Sequence, residues 1–205
     1  MRTILTALIL GACLAQSAWA QPLLTKADLS YQGAFRLPAG TFGSPAGGFA
    51  YGGTALAYNP ANNSLFIVGH DWDQRVAEIN IPPIINGSLL GQLNTATVRQ
   101  NFVDIHEGRM GQIVPTGGSR KVGGLMVYNG KLYSTVYVYY DAQNEQLVTH
   151  FVSGTTTLAT TGDLLGPYRL AGRGAGFVSG WIVPVPTDYQ VSLGKALTGN
   201  CCLSI

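Results

Sequence analysis

The sequence predicts an all-β fold of antiparallel, turn-linked strands, and three observations carry that expectation. Charged residues make up only 11% of the chain, whereas glycine occurs 27 times in 205 residues. Tyr, Thr and Val recur where long helices would want Ala, Leu, Glu and Lys; β-branched and aromatic side chains suit a pleated sheet. Apolar runs of four to ten residues also flank turn-forming clusters again and again, as in hairpins.

The chain opens with Met1-Arg2, an apolar run from Ile4 to Leu14, and Ala18-Trp19-Ala20 before Gln21. A basic start, a short apolar stretch and a small-x-small end form a signal peptide over residues 1–20, cut after Ala20. The run falls short of the roughly 20 apolar residues that span a bilayer, and no later segment reaches that length. Residues 21–205 are therefore expected to be exported, periplasmic or extracellular, with no transmembrane segment. Leu10-Gly11-Ala12-Cys13 loosely fits a lipoprotein site but leaves little chain ahead of it, so anchoring at Cys13 is the lesser reading.

Next, Thr25 to Leu29 predicts a helical turn. Tyr31 to Leu37 alternates with the period of a half-buried strand. The glycine-rich stretch from Pro38 to Gly53 reads as loop. Thr54 to Tyr58 and Leu65-Phe66-Ile67-Val68 enclose the turn Asn59-Pro60-Ala61-Asn62-Asn63-Ser64, giving a hairpin. A second hairpin joins Leu125-Met126-Val127-Tyr128 to a strand from Lys131 to Tyr140 through Asn129-Gly130, a pair that tolerates positive φ at both positions. Leu147 to Val152 and Phe177 to Val183 are further strand candidates, while residues 82–120 show weak strand patterning and read as a long loop.

The two hairpins expose a repeat. Gly53-Thr54-Ala55-Leu56-Ala57-Tyr58-Asn59 and Gly123-Gly124-Leu125-Met126-Val127-Tyr128-Asn129 align without a gap at an offset of 70, and Gly194 to Asn200 follows 71 further on. Radial repetition of antiparallel strands builds β-propellers, at about 40–50 residues per blade. The expected architecture is a partial β-propeller-like repeat over residues 21–205, each blade carrying a long loop, with a β-sandwich as the alternative. The third copy runs into Cys201-Cys202-Leu203-Ser204-Ile205 without a closing turn. An unpaired apolar edge is something natural sheets avoid, so the domain is expected to be incomplete at its C-terminus. On the signal peptide, this repeat and the Leu65–Val68 and Leu132-Tyr133 strands, the chain resembles uncharacterised exported β-propeller-type proteins of bacteria. That resemblance implies loops gathered round a central channel.

Candidate chemistry concentrates at two places. Gly69-His70-Asp71-Trp72-Asp73 follows a strong strand and so should sit at a loop mouth, where sites are commonly built. Asp71 and Asp73 could supply two oxygens to a calcium ion, although the EF-hand pattern is absent. His70 could act as base or ligand, and Trp72 could stack on a sugar ring. A polar loop with Trp72 packed on the sheet is the plainer alternative. In Asp104-Ile105-His106-Glu107-Gly108-Arg109, alternation would let Asp104 orient His106, as in hydrolytic triads, with Arg109 beside them. No G-x-S-x-G elbow supplies a nucleophile. The candidate ligand-binding residues are thus His70, Asp71, Trp72, Asp73, His106 and Arg109. Cys201-Cys202 could form a vicinal disulfide, bridge elsewhere, or stay reduced.

The charge balance excludes one partner class. Once Arg2 leaves with the signal, eleven Lys and Arg face ten Asp and Glu. Without clustered basic residues there is no electrostatic footprint for nucleic acid. Phosphate-cradling and zinc-binding spacings are also missing. Two functions fit: a binding or scaffold module for a carbohydrate or another cell-envelope ligand, using Trp72, Tyr139 and Tyr140; or a secreted polysaccharide hydrolase or lyase using His70, Asp71 and Asp73.

Overall fold

The computed structural model describes residues 23–171 and 174–199. The segment expected to be a signal peptide, Cys13 and the Cys201-Cys202 pair lie outside the described residues. The chain divides into two compact units, residues 1–31 and 32–205. In the first, Lys26–Asp28 form one turn of 3-10 helix, as the sequence predicts. The Thr25 N–H and hydroxyl both donate to Asp28 Oδ2 at 2.8 Å, satisfying a donor that the start of a helix leaves free.

The second unit is β-rich. Strands β1 (Thr41–Phe42) and β2 (Gly47–Gly48) make a small hairpin inside the stretch expected to be loop. Strands β3 (Leu56–Asn59), β4 (Ser64–Val68), β5 (Val76–Asn80) and β6 (Thr97–Val103) then form a four-stranded antiparallel meander whose spatial order is the chain order. Strands β7 (Arg120–Tyr128), β8 (Lys131–Val138), β9 (His150–Ser153) and β10 (Leu165–Tyr168) build a second meander in the same way. Strand β11 (Ile182–Pro184), helix α1 (Thr187–Leu193) and strand β12 (Leu197–Gly199) follow, with β12 paired antiparallel to β11. The all-β expectation holds. Among the described residues no helix is long and apolar enough to cross a membrane.

The Asn129-Gly130 turn forms as its chemistry dictates: φ is 48° and 72°, and Tyr128 pairs with Lys131 across it. Phe66, Val68 and Val76 from the first meander pack with Val122, Leu125 and Leu132 from the second in one shared core. Strand β7 lies against both β3 and β11, the first strands of the flanking sheets. Close approach at β7 depends on glycine: a Cβ at Gly123 or Gly124 would run into the Ser179–Ile182 backbone.

Three expectations change. Tyr31 to Leu37 is not a strand; it makes only isolated bridges, Ala34 to Ile85 and Arg36 to Thr95. Its apolar positions share no face, because Phe35 is half-buried while Tyr31 and Leu37 stay exposed. Residues 82–120 contain a full strand, β6. Its inward positions are Val98, Gln100 and Phe102, and the polar Gln100 breaks the apolar alternation because it serves a buried carboxylate, Glu78. Phe177 to Val183 is a 3-10 turn over Ala175–Val178 followed by β11.

The repeat is matched in position for its first two copies, which fall on β3 and β7. The third falls on β12, a return strand, and its Gly194 is the left-handed cap of α1 at φ 63°. The aligned asparagines also differ in role: Asn59 is buried and donates to Glu78 at 2.9 Å, whereas Asn129 supplies a positive φ.

Candidate functional site

The His70–Asp73 loop joins β4 to β5 and is fixed from three sides. The His70 N–H donates to the Gly48 carbonyl at 2.8 Å and the Asp71 N–H to the Tyr51 carbonyl at 3.2 Å. Across the boundary between the meanders, Lys121 of β7 donates through Nζ to the Asp71 carbonyl at 2.8 Å and to its Oδ2 at 2.5 Å. Gln74 completes the clamp: its amide N–H donates to the Asp71 carbonyl, and its Oε1 accepts the Val122 N–H at 2.6 Å. Lys121 is itself almost fully buried. A buried ammonium is strongly destabilising unless paired, so Lys121 holds Asp71 in place.

On this rigid base the loop and the neighbouring β2–β3 connection display aromatic rings. Trp72 is 87% exposed and Tyr51 84% exposed, with the His70 ring edge-on to both, 6.1 Å from Trp72 and 5.6 Å from Tyr51. The Trp72 backbone N–H donates to His70 Nδ1 at 3.2 Å, so that ring nitrogen is the acceptor. Tyr51 and Gln74 both adopt left-handed backbone, φ 53° and 51°. Bulky residues take that conformation only when their surroundings impose it. Tyr137, opposite Lys121 in the β7–β8 ladder, belongs to the same neighbourhood: burial and then the Asp71 carboxylate push its phenol up.

The six residues singled out from the sequence therefore separate. His70, Asp71, Trp72 and Asp73 share one loop. His106 is wholly buried: its Nε2 meets Ser134 Oγ at 2.9 Å and its ring stands edge-on to Phe151. Asp104 Oδ1 lies 3.9 Å from His106 Nδ1, and its two oxygens accept the backbone N–H groups of His106 and Gly108. Burial holds His106 down to about 4, against the opposing pull of Asp104. A serine, histidine and aspartate thus line up, but Ser134 is only 3% exposed, and a nucleophile must reach its substrate. Arg109 is engaged by Glu107 at 2.9 Å and by the Leu164 carbonyl at 2.9 Å. Both residues fasten the fold.

The calcium expectation at Asp71 and Asp73 gains no support. Asp71 is paired with Lys121, and among the described residues no group of three or more His, Cys, Asp or Glu side chains is placed to hold a metal. Sequence reasoning missed Tyr51, Gln74, Lys121 and Tyr137. Tyr51 carried a signal, a lone aromatic between Ala50 and Gly52-Gly53. Lys121 carried none, because its partner lies 50 residues away.

No family model, curated protein or solved structure matches the chain.

Proposed function

We propose that this protein is an exported binding module of the β-propeller type that recognises a cell-envelope carbohydrate through the Tyr51–His70–Trp72 surface. The observation that carries the reading is the pair of almost fully exposed rings, Trp72 on a loop immobilised by the Asp71–Lys121 ion pair and Tyr51 on the adjoining β2–β3 connection. Exposed aromatic surface is costly in water, and rigid amphipathic rings make contact area with little loss of conformational entropy. Sugars offer the complement: apolar C–H faces for stacking, and hydroxyls for His70 and Asp73. The propeller reading is supported by two successive four-stranded meanders in chain order, with the first strands of neighbouring sheets side by side. A hydrolase or lyase using the same loop is the weaker reading, because Asp71 is engaged by Lys121.

Titration of the full chain with cello-, chito- and malto-oligosaccharides, followed by isothermal calorimetry, tests this. Binding to at least one series is expected, with loss of about tenfold or more in Trp72→Ala and retention in Trp72→Phe. Stability of Trp72→Ala should stay within about 0.5 kcal/mol of the parent, since the side chain is exposed. No affinity for any series, or equal affinity in Trp72→Ala, would refute the proposal.

A further inference from the structure

The aromatic surface has a counterpart on the second meander. Strand β8 ends at Val138, which pairs with Arg120 at the start of β7. Lys121, the next residue of β7, reaches the Asp71 loop that follows β4. The β4–β5 and β8–β9 connections therefore open at the same end of the two adjoining meanders. Tyr139 and Tyr140 begin the second of these connections, and both residues are largely exposed. Their loop is fixed much as the first is. The Tyr139 N–H donates to the Ser119 carbonyl at 2.8 Å. Gln146, buried like Gln74, accepts the Val138 N–H at 3.0 Å and donates to the Val136 carbonyl at 2.8 Å. Asp141 accepts the Glu145 and Gln146 N–H groups at 2.7 and 3.0 Å, closing the turn between them. Tyr137 stands between the two loops: burial first, then the Asp71 carboxylate and the Tyr139 phenol, push its own phenol up.

We infer that the ligand is an extended glycan chain, stacked on Tyr51 and Trp72 at one loop and on Tyr139 and Tyr140 at the other. This rests on the carbohydrate reading above and narrows it to chains rather than short sugars. Strand spacings of about 4.8 Å and a rise of about 3.3 Å per residue place Trp72 and Tyr139 on the order of 15–20 Å apart, a span of about four linked hexoses. A disaccharide is too short to touch both rings. Exposed tyrosines give a large contact area at little loss of conformational freedom, and their hydroxyls can bond to those of a sugar. Because both loops are fixed beforehand, a chain held at the first meets the second with little further ordering.

The test measures the affinity of the full chain for the disaccharide and the hexasaccharide of the cello-, chito- and malto- series by isothermal titration. In the series that binds, the hexasaccharide should bind about tenfold or more tightly than the disaccharide. Tyr139→Ala/Tyr140→Ala should weaken the hexasaccharide about tenfold and the disaccharide less than about twofold, whereas Tyr139→Phe/Tyr140→Phe should keep both affinities. Trp72→Ala should weaken both ligands. The chain-length comparison in the parent keeps the inference testable if the double alanine variant does not fold. A hexasaccharide bound no more tightly than the disaccharide, or one whose affinity survives the loss of both tyrosines, would overturn the extended chain and leave the Trp72 reading in place. No affinity for any series would overturn both.

Discussion

Replacing Glu78 by Gln removes one charge from the interior while keeping the side chain's shape. Glu78 is fully buried on β5, where Oε1 accepts from Asn59 at 2.9 Å, from Asn62 at 3.1 Å and from the Ser64 hydroxyl. Oε2 accepts from Gln100 Nε2 at 2.5 Å, with Arg99 3.6 Å away. Burial alone would raise this carboxyl, but the donors Ser64, Gln100, Asn62 and Asn59 together hold it below its ordinary value. In Glu78→Gln the amide oxygen can keep the Oε1 partners, and the new NH2 then faces the NH2 of Gln100. Gln100 cannot turn over without losing the Thr156 and Leu158 contacts. The variant therefore loses a charge-assisted hydrogen bond and gains a donor facing a donor, a cost of about 3 kcal/mol. Urea unfolding should show the midpoint falling at constant slope, with a Tm about 6–12 °C lower for a domain of this size. The pH dependence supplies a second reading. A carboxyl held low in the folded state contributes stability above its ordinary value of 4.5 and loses it as pH falls through the folded value. The parent should weaken in acid through this group, and Glu78→Gln should lack that limb. A loss under about 0.5 kcal/mol at pH 7 would refute the view that this network joins β3, β4, β5 and β6.

His106 should add an acid-sensitive limb of its own. Its imidazole is held near 4 when folded against 6.5 when free, so stability is full above 6.5 and falls as pH drops towards 4, by on the order of 3 kcal/mol. His150, also lowered by burial, acts in the same direction, so urea midpoints at pH 7 and pH 4 should be compared in the parent and in His106→Gln; an identical pH response would contradict the assignment. Gly123→Ala should cost about 3 kcal/mol or prevent folding, because its Cβ would meet the Ser179 carbonyl on the crossing chain. A change under about 1 kcal/mol by urea unfolding would mean that β7 and that chain can separate. N-terminal sequencing of the protein expressed with residues 1–20 in an exporting host should begin at Gln21; retention of Met1 would remove the export reading.

The parts of the fold that could be read directly from residues are those whose cause is local. Asn129-Gly130 specifies its own hairpin because both φ values are positive whatever surrounds them. Leu65 to Val68 declares a strand because its run of apolar residues is buried almost throughout. The loop after that strand was therefore legible as a candidate site, with His70 and Trp72 on it. Tertiary packing settled the rest. Gln100 hid strand β6 because its polarity makes sense only beside Glu78, 22 residues earlier in the chain. The burial of His106 against Phe151 and Ser134 followed from which way a strand end turned, and alternation alone is silent on that. The pairing of Asp71 with Lys121 arises only when two meanders are set side by side. Local dihedral preference and hydrophobic pattern act within a few residues, while the partner of a buried charge is chosen by the whole fold.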